Sequence, residues 1–473
     1  MAPGGELWGL VLPEHFSKLN RQRVNSPELK MPSTALASAR TKDYFSDGSP
    51  GVYQLLKSDG TVDKAYIYLT MRRGGRFIYA LNVSDPGDPK VMWKISSSDT
   101  GFGELGQTWS RPRVTLVKGY ANPVLVFGAG YDPAEDAEPP TTDTMGRGIF
   151  VVDAVTGVRV WNAAYSAGTT TCTGSATQAA CAVAGMNWAM PADISFVDRD
   201  NDGKIDRFYA ADVGGNVWRV DLEPTAGNTP DKWQVSKLAA LGCASGACTS
   251  GTTPRKFFFP PNVVSVGATG ASGSYDVVLL GSGDREHPLQ GSGSFGVTNR
   301  FYALKDTATG MNASGTVITE TALFNGGVVT GSTITYDGSL SGFYKTFATG
   351  EKSVNASVTT KGTTFFGTNK PTPPSTTSCR SNLGEAKGYA LNPFKGTFDA
   401  TVFDGGGLPP SPTVGIVTIV VPATGDKPAT TVQKAFCIGC GGGPEGDSKS
   451  ALGAQDVSST VPKNPRRSYW YKK

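Results

Sequence analysis

One phrase recurs along this chain and limits what it can fold into. It opens near a proline with an alternating apolar strand and continues with a strand ending in Gly or another small residue. A third strand carries an aromatic followed by Ala or Val and then Asp or Asn. A turn and often a Trp-bearing strand close the phrase. The first copy runs from DGSPGVYQ through KAYIYL and RFIYALNV to VMWKI, and the second from SRPRVTLV through PVLVFGAG and GIFVVDAVTG to VRVWNA. The third runs from MPADISFVD through DRFYAADVGG to NVWRVDL, the fourth from PPNVVSVG to NRFYALKDTATG, and the fifth from SVNASVTT to KGYALNPFKG. The equivalent aromatics are Tyr79, Phe150, Tyr209, Tyr302 and Tyr389. A further copy starts at PPSPTVGIVTIV and finishes in the C-terminal RRSYWYKK. Repeated four-stranded units that bury one face against the next predict the blades of a β-propeller. The expectation is an all-β chain forming one propeller domain over residues 1–473. Six blades come from the copies and a seventh from the termini, where ELWGLVLP pairs with the C-terminal strand. An array of β-sandwich domains would need a linker. The best candidate, KPTPPSTTSC, is followed directly by the phrase again at GYALNP, so a loop within a blade fits better.

Composition supports this reading. Among 473 residues there are 60 Gly and 31 Pro with only 18% charged side chains, which suits many short strands between turns. The clearest helical stretches are Leu12 to Gln22 and SPELK. A net charge of +4 is too mild to imply nucleic acid, and the basic KNPRRSYWYKK reads as a closing edge strand with solvated Lys and Arg. No apolar run is long enough to span a bilayer, and MAPGGELWGL has neither the basic nor the apolar region of a signal peptide. Of the seven Cys, Cys172 and Cys181, then Cys243 and Cys248, form close pairs in small-residue loops. They read as local disulfide staples, which point to an oxidising compartment. Cys437 and Cys440 form a C-x-x-C, for which zinc or redox chemistry lacks the His partners or the βαβ setting. Cys379 is either free or paired with one of those two sulfurs.

The densest chemistry lies in FVDRDNDGKIDRFYAAD, Phe196 to Asp212. With Asp198 as position 1, Asp200 is 3, Asp202 is 5, Gly203 is 6, Lys204 is 7 and Asp206 is 9. A calcium loop takes ligands at those positions, with a glycine at 6 for the sharp turn and a backbone carbonyl at 7. Hard oxygen donors in a flexible loop select Ca²⁺. The bidentate Glu of position 12 is replaced by Tyr209, so the cage is a nine-residue loop between two strands. The predicted metal ligands are therefore Asp198, Asp200, Asp202, the Lys204 carbonyl and Asp206. Arg199 and Asn201 are expected to face solvent, and Asp212 to be a turn residue. In GDREHP, Asp284, Glu286 and His287 lie together, but no nucleophile motif is near, and the stretch reads as a structural loop. The Gly-rich stretches lack the Lys-Ser/Thr of a phosphate loop. Trp93, Trp161 and Trp218 read as packing residues.

Several stretches together resemble the C-terminal domain of the PilY/PilC-type tip adhesins of bacterial type IV pili. They are ELWGLVLPEHF, YFSDGSP, GGRFIYALNVSDP, VFGAGYDP, DRDNDGKIDRFYAADVGGNVWRVDL, LLGSGDREHPL, FFGTNKPTPP, CRSNLGEAKGYALNPFKG and GGGLPPSPTVG, in family order over nearly the whole chain. The resemblance implies a modified, quinoprotein-like propeller with one Ca²⁺ site in the loop already described. It implies a non-enzymatic protein at the pilus tip or outer surface, exported through the periplasm, that works with minor pilins in pilus biogenesis and adhesion and meets host surfaces. Calcium occupancy would bias pilus extension against retraction and hence twitching motility. The family's variable N-terminal region is absent from this chain, as is an Arg-Gly-Asp tripeptide. Two other readings are a generic Ca²⁺-stabilised cell-surface binding propeller and a quinone-dependent dehydrogenase. The second lacks the adjacent Cys pair common in such enzymes.

Overall fold

The computed structural model describes residues 5–456 apart from 31–37, 138–140, 225, 244–247, 249–252, 268–272, 290–295, 308–315, 326–339, 373–381, 422–429 and 441–453. The chain forms two compact units, one within Met1–Val328 and Gly338–Lys352, the other within Val329–Asp337 and Ser353–Lys473. Both are built mainly from antiparallel meanders in sequence order, with Ala179–Ala184 and Phe324–Asn325 added in parallel in the first, and the fold class is all-β and propeller-type, as the repeat predicts. The one α-helix among the described residues, Phe16–Val24, follows a short 3-10 turn at Pro13–His15 and matches the first predicted helical stretch. SPELK is not helical.

In the first unit the first sheet pairs Gly51–Leu56, Val62–Leu69, Phe77–Asn82 and Lys90–Ser96. The second pairs Arg113–Thr115, Val124–Gly128, Gly148–Asp153 and Arg159–Ser166. It is extended by a hairpin, Thr171–Gly174 and Ala179–Ala184, closed by the Cys172–Cys181 disulfide at directly opposed positions. The third pairs Ser195–Val197, Arg207–Ala211, Asn216–Asp221 and Gln234–Ala240. The fourth pairs Asn262–Val266, Tyr275–Gly281, Arg300–Asp306 and Gly342–Thr346, with Phe324–Asn325 added in parallel.

Two-residue periodicity explains how these sheets stack. Successive side chains of a strand point to opposite faces. On Arg207–Ala211, Phe208 and Ala210 join a core with Val126, Val151 and Trp161 of the second sheet. Their neighbours Tyr209 and Ala211 join a core with Val278, Leu280 and Tyr302 of the fourth. On Val124–Gly128, Leu125 and Phe127 meet Tyr68 and Ile78 of the first sheet. An inner strand is thus buried on both faces, which is why it reads as an unbroken apolar run such as VLVFG. Each fully buried Phe or Val contributes roughly 1.5–3 kcal/mol over its exposed state. The three Trp pack as expected: Trp161 and Trp218 are buried, and Trp93 donates to the Ala154 carbonyl.

The second unit holds a sheet of Val358–Thr360, Thr363–Lys370, Glu385–Leu391 and Phe398–Phe403 and another of Thr413–Val421, Thr430–Ile438 and Ala454–Asp456. Phe365 packs on Cys437 and Cys440, which are joined as a disulfide, and Phe366 stacks on Tyr389. Cys243 and Cys248 are likewise joined, while Cys379 lies outside the described residues. The expected seventh blade depends on RRSYWYKK, which also lies outside them, and Leu7–Leu12 is not in a strand.

One strand assignment needs correction. The repeat aligns Tyr209 with aromatics of third strands, but Tyr209 lies in the second strand of its sheet. The Trp218 strand is the third, and Gln234–Ala240 is the fourth. Neighbouring strands buried on both faces carry the same apolar signature, so the phrase slips by one strand without leaving a trace in the sequence. Only the pairing register resolves it.

Candidate functional site: the acidic loop of the third sheet

The loop closes between two strands whose register carries Ser195, Phe196 and Val197 opposite Tyr209, Phe208 and Arg207. Ile205 plugs its underside into the core between the second and third sheets, and the Ile205 N–H donates to the Leu116 carbonyl at 3.0 Å. Asn201 and Gly203 turn the chain in the left-handed region, with φ of 58° and 86°. Asn and Gly are the residues that tolerate this best.

Side-chain oxygens organise the turn. The Gly203 N–H donates to Asp198 Oδ2 at 2.9 Å, the Asp202 N–H to Asp200 Oδ1 at 3.1 Å, and the Lys204 N–H to Asp202 Oδ1 at 2.8 Å. The Arg199 N–H donates to Asp206 Oδ2. This arrangement brings one oxygen each of Asp198, Asp200 and Asp206 within 4.8 Å of one another. The Asp202 carboxylate is not in that group and engages the loop backbone and Lys118. Among the described residues, Asp198 Oδ1 and Asp206 Oδ1 are buried without a hydrogen-bond partner. Two shielded, unsatisfied oxygens in an all-oxygen donor set fit a hard divalent cation.

Two further residues complete the site. Lys118, which follows the first strand of the second sheet, places Nζ 2.8 Å from Asp200, 3.3 Å from Asp202, 3.9 Å from Asp206 and 2.9 Å from Glu223. Glu223 follows the Asn216–Asp221 strand, and its Oε1 is also buried and unpartnered. Hydrogen bonds to Asp200 and Glu223 hold Lys118 well above the ordinary ammonium range. The same contact with Lys118 lowers Asp200. Burial, reinforced by the charges of Asp206 and Asp202, raises Asp198. Burial and the Asp206 charge raise Glu223. The sequence carried no signal for Lys118, which is 82 positions before Asp200 and meets the loop only through sheet packing.

Arg199 does not face solvent as expected. Its Nη1 lies 2.8 Å from Oδ1 of the fully buried Asp276 in the fourth sheet. There it joins Arg207 and Arg219, which pair with Asp221, Asp276 and Asp306, while the Tyr209 hydroxyl donates to Asp276 and Asp306. Three guanidinium groups thus meet three carboxylates between the third and fourth sheets, which removes the penalty of an unpaired buried charge. Asn201 is exposed, and Asp212 is a buried turn residue accepting from Asn216 and Trp218. In GDREHP, Asp284 accepts the Glu286 and His287 N–H groups, as a structural loop would.

No family model matches the chain. The type IV pilus biogenesis factor PilY1 of Pseudomonas aeruginosa (strain UCBPP-PA14) is 28% identical over 189 residues, 39% of this chain and 13% of that protein. A PilY1 homolog of Xylella fastidiosa is 27% identical over 173 residues, 36% of this chain and 10% of that protein. The crystal structure of the Pseudomonas aeruginosa PilY1 C-terminal domain superposes with a TM-score of 0.57 at 17% identity, covering 91% of this chain and 87% of that one. The chain is similar to PilY1. The resemblance read from the sequence motifs therefore holds, in sequence over part of the chain and in fold over most of it. The matched stretches span only about a tenth of the PilY1 relatives' length. Among the described residues, no helix is long and apolar enough to cross a membrane.

Proposed function

We propose that the chain is a non-enzymatic module of a PilY1-type pilus biogenesis and tip-adhesion protein, and that its acidic loop binds Ca²⁺. In this reading it acts outside the cell, at the pilus tip or outer-membrane surface, with minor pilins as partners. The observation that carries the calcium reading is the convergence of Asp198, Asp200 and Asp206, two of whose shielded oxygens find no donor among the described residues. Asp198, Asp200, Asp206 and the Lys204 carbonyl would hold the ion, with Asp202 either joining them or continuing to brace the turn. The ion would supply positive charge that lets the carboxylates stay close. The protein's own contribution is the preset loop, anchored below by Ile205 and sideways by Arg199.

Through Arg199 the loop is tied to the charge network between two sheets, so a change in loop geometry reaches Asp276 directly. This link supports a regulatory role for occupancy, in which calcium biases pilus extension against retraction. Calorimetry tests the site: Asp200→Ala with Asp206→Ala should abolish Ca²⁺ binding while the far-ultraviolet circular dichroism stays unchanged. Ca²⁺ binding that survives the double substitution rejects the site. Normal piliation and twitching in a strain carrying it rejects the regulatory role. Co-purification with minor pilins separates this reading from a surface propeller of other purpose.

A further inference from the structure

A second site-like feature lies in the first unit, away from the acidic loop. The ends of all four of its sheets contribute to a pocket of about 540 Å³, within the size range of small-ligand sites. Its wall carries Arg72, Arg73, Arg111 and Arg285 against only two acids, Asp193 and Glu286. Two of the arginines are committed. Arg73 makes a bidentate pair with Asp136 at 2.6 and 2.7 Å, and Arg111 lies 3.6 Å from Asp193. Arg72 and Arg285 have no carboxylate within ion-pair distance among the described residues.

Arg72 is held in place firmly for a residue with no carboxylate in ion-pair distance among the described residues. Its backbone is in the left-handed region at φ 47°, which costs a non-glycine residue about 1 kcal/mol. Its N–H donates to the Thr108 carbonyl at 3.1 Å. Its guanidinium lies 5.4 Å from the Trp109 ring centre, and its Nε is buried with no acceptor. Arg285 lies 5.8 Å from the Phe259 ring centre, and partial burial together with the Arg72 charge pulls it below the ordinary guanidinium range. Two like charges, each held against an aromatic ring, give this wall a cationic, ring-lined character.

We propose that this pocket binds a carboxylate carried on an aromatic or ring-shaped group, gripped by Arg72 and Arg285 with Trp109 and Phe259 as apolar walls. The planar guanidinium matches a carboxylate through two parallel hydrogen bonds. A monoanion suits the site better than a phosphate dianion, because the Asp193 carboxylate shares the wall. Such a carboxylate comes either from a peptide C-terminus or from an acidic sugar.

Titration calorimetry on the purified chain at low salt, with four probes, decides. They are N-acetylphenylalanine, its amide, glucuronic acid and inorganic phosphate. At least one carboxylate should bind at least about tenfold more tightly than the amide, and Arg285→Met or Arg72→Met should each weaken it at least about tenfold. Preference for N-acetylphenylalanine assigns a peptide source, and preference for glucuronic acid a sugar source. Equal binding of acid and amide, no carboxylate binding up to about 20 mM, or tighter binding of phosphate overturns the proposal. Arg285→Met leaves the strained turn untouched, so unchanged binding in that variant, with an unaltered melting temperature, overturns it even if Arg72→Met fails to fold.

Discussion

Lys118 is the residue on which the acidic loop turns. Its ammonium stands among four carboxylates and does part of what a bound cation would do. A divalent ion entering the loop must share these oxygens with it or displace it. Lys118→Met should therefore tighten Ca²⁺ binding several-fold, because the ion no longer competes with an internal cation. The same variant should be less stable than the parent in excess chelator, where the carboxylates lose their counter-charge. Calorimetry and thermal melts in parallel measure both, and an unchanged affinity would mean that the ion and the ammonium do not contend for these oxygens. Gly203 makes a separate point. A Cβ there would meet nothing within 4 Å, so Gly203→Ala should cost about 1 kcal/mol through its φ of 86° alone and slacken the loop without a clash.

At the scale of elements, the informative contact is the crossing from the loop to the fourth sheet. Arg199 and Arg207 both reach Asp276, one from the loop and one from the strand that the loop feeds. Asp276→Asn leaves three guanidinium groups facing two carboxylates in a dry interface. Breaking one partner of a buried ion pair costs about 3–5 kcal/mol, and a denaturant melt should show a loss of that order. Arg199→Met should cost far less, since its head is partly exposed, yet it should remove the path by which the loop meets the network. The measurement is the Ca²⁺-dependent change in amide exchange of the Tyr275–Gly281 strand. It should be present in the parent and absent in Arg199→Met, and its persistence would show that occupancy travels by another route.

At the scale of the whole molecule, buried acids set how stability depends on pH. Burial, with Asp284 beside it, pushes Glu286 up to about 9. Burial and the Glu135 charge push Asp143 up to about 9. Unfolded, such groups titrate near 4. The folded chain binds these protons more tightly, so their contribution to stability is complete below the unfolded pKa and is lost as pH rises through the folded one. The melting temperature should fall between about pH 6 and pH 10, and Glu286→Gln should flatten that fall. A pH-independent melt over this range would contradict the burial of these groups. Added Ca²⁺ should raise the melting temperature in the parent and leave the Asp200→Ala, Asp206→Ala protein unmoved, by the linkage that stabilises any state binding a ligand.

The strand phrase, the turn residues and the spacing of the aspartates are local properties, set by side-chain alternation and by which residues accept a left-handed turn. The sequence alone therefore determined the all-β class, most strand positions, the two close disulfide pairs and the position of the acidic loop that carries Asp198, Asp200, Asp202 and Asp206. It could not determine which strand of its sheet Tyr209 occupies, because two adjacent fully buried strands look alike until they pair. Nor could it show that Lys118 and Glu223 join the loop, that Arg199 turns inward, or that Arg72 and Arg285 share a pocket. Those residues are separated by tens to hundreds of positions. Whether their charges meet depends on how sheets stack, and stacking is decided by burial over both faces of every strand at once.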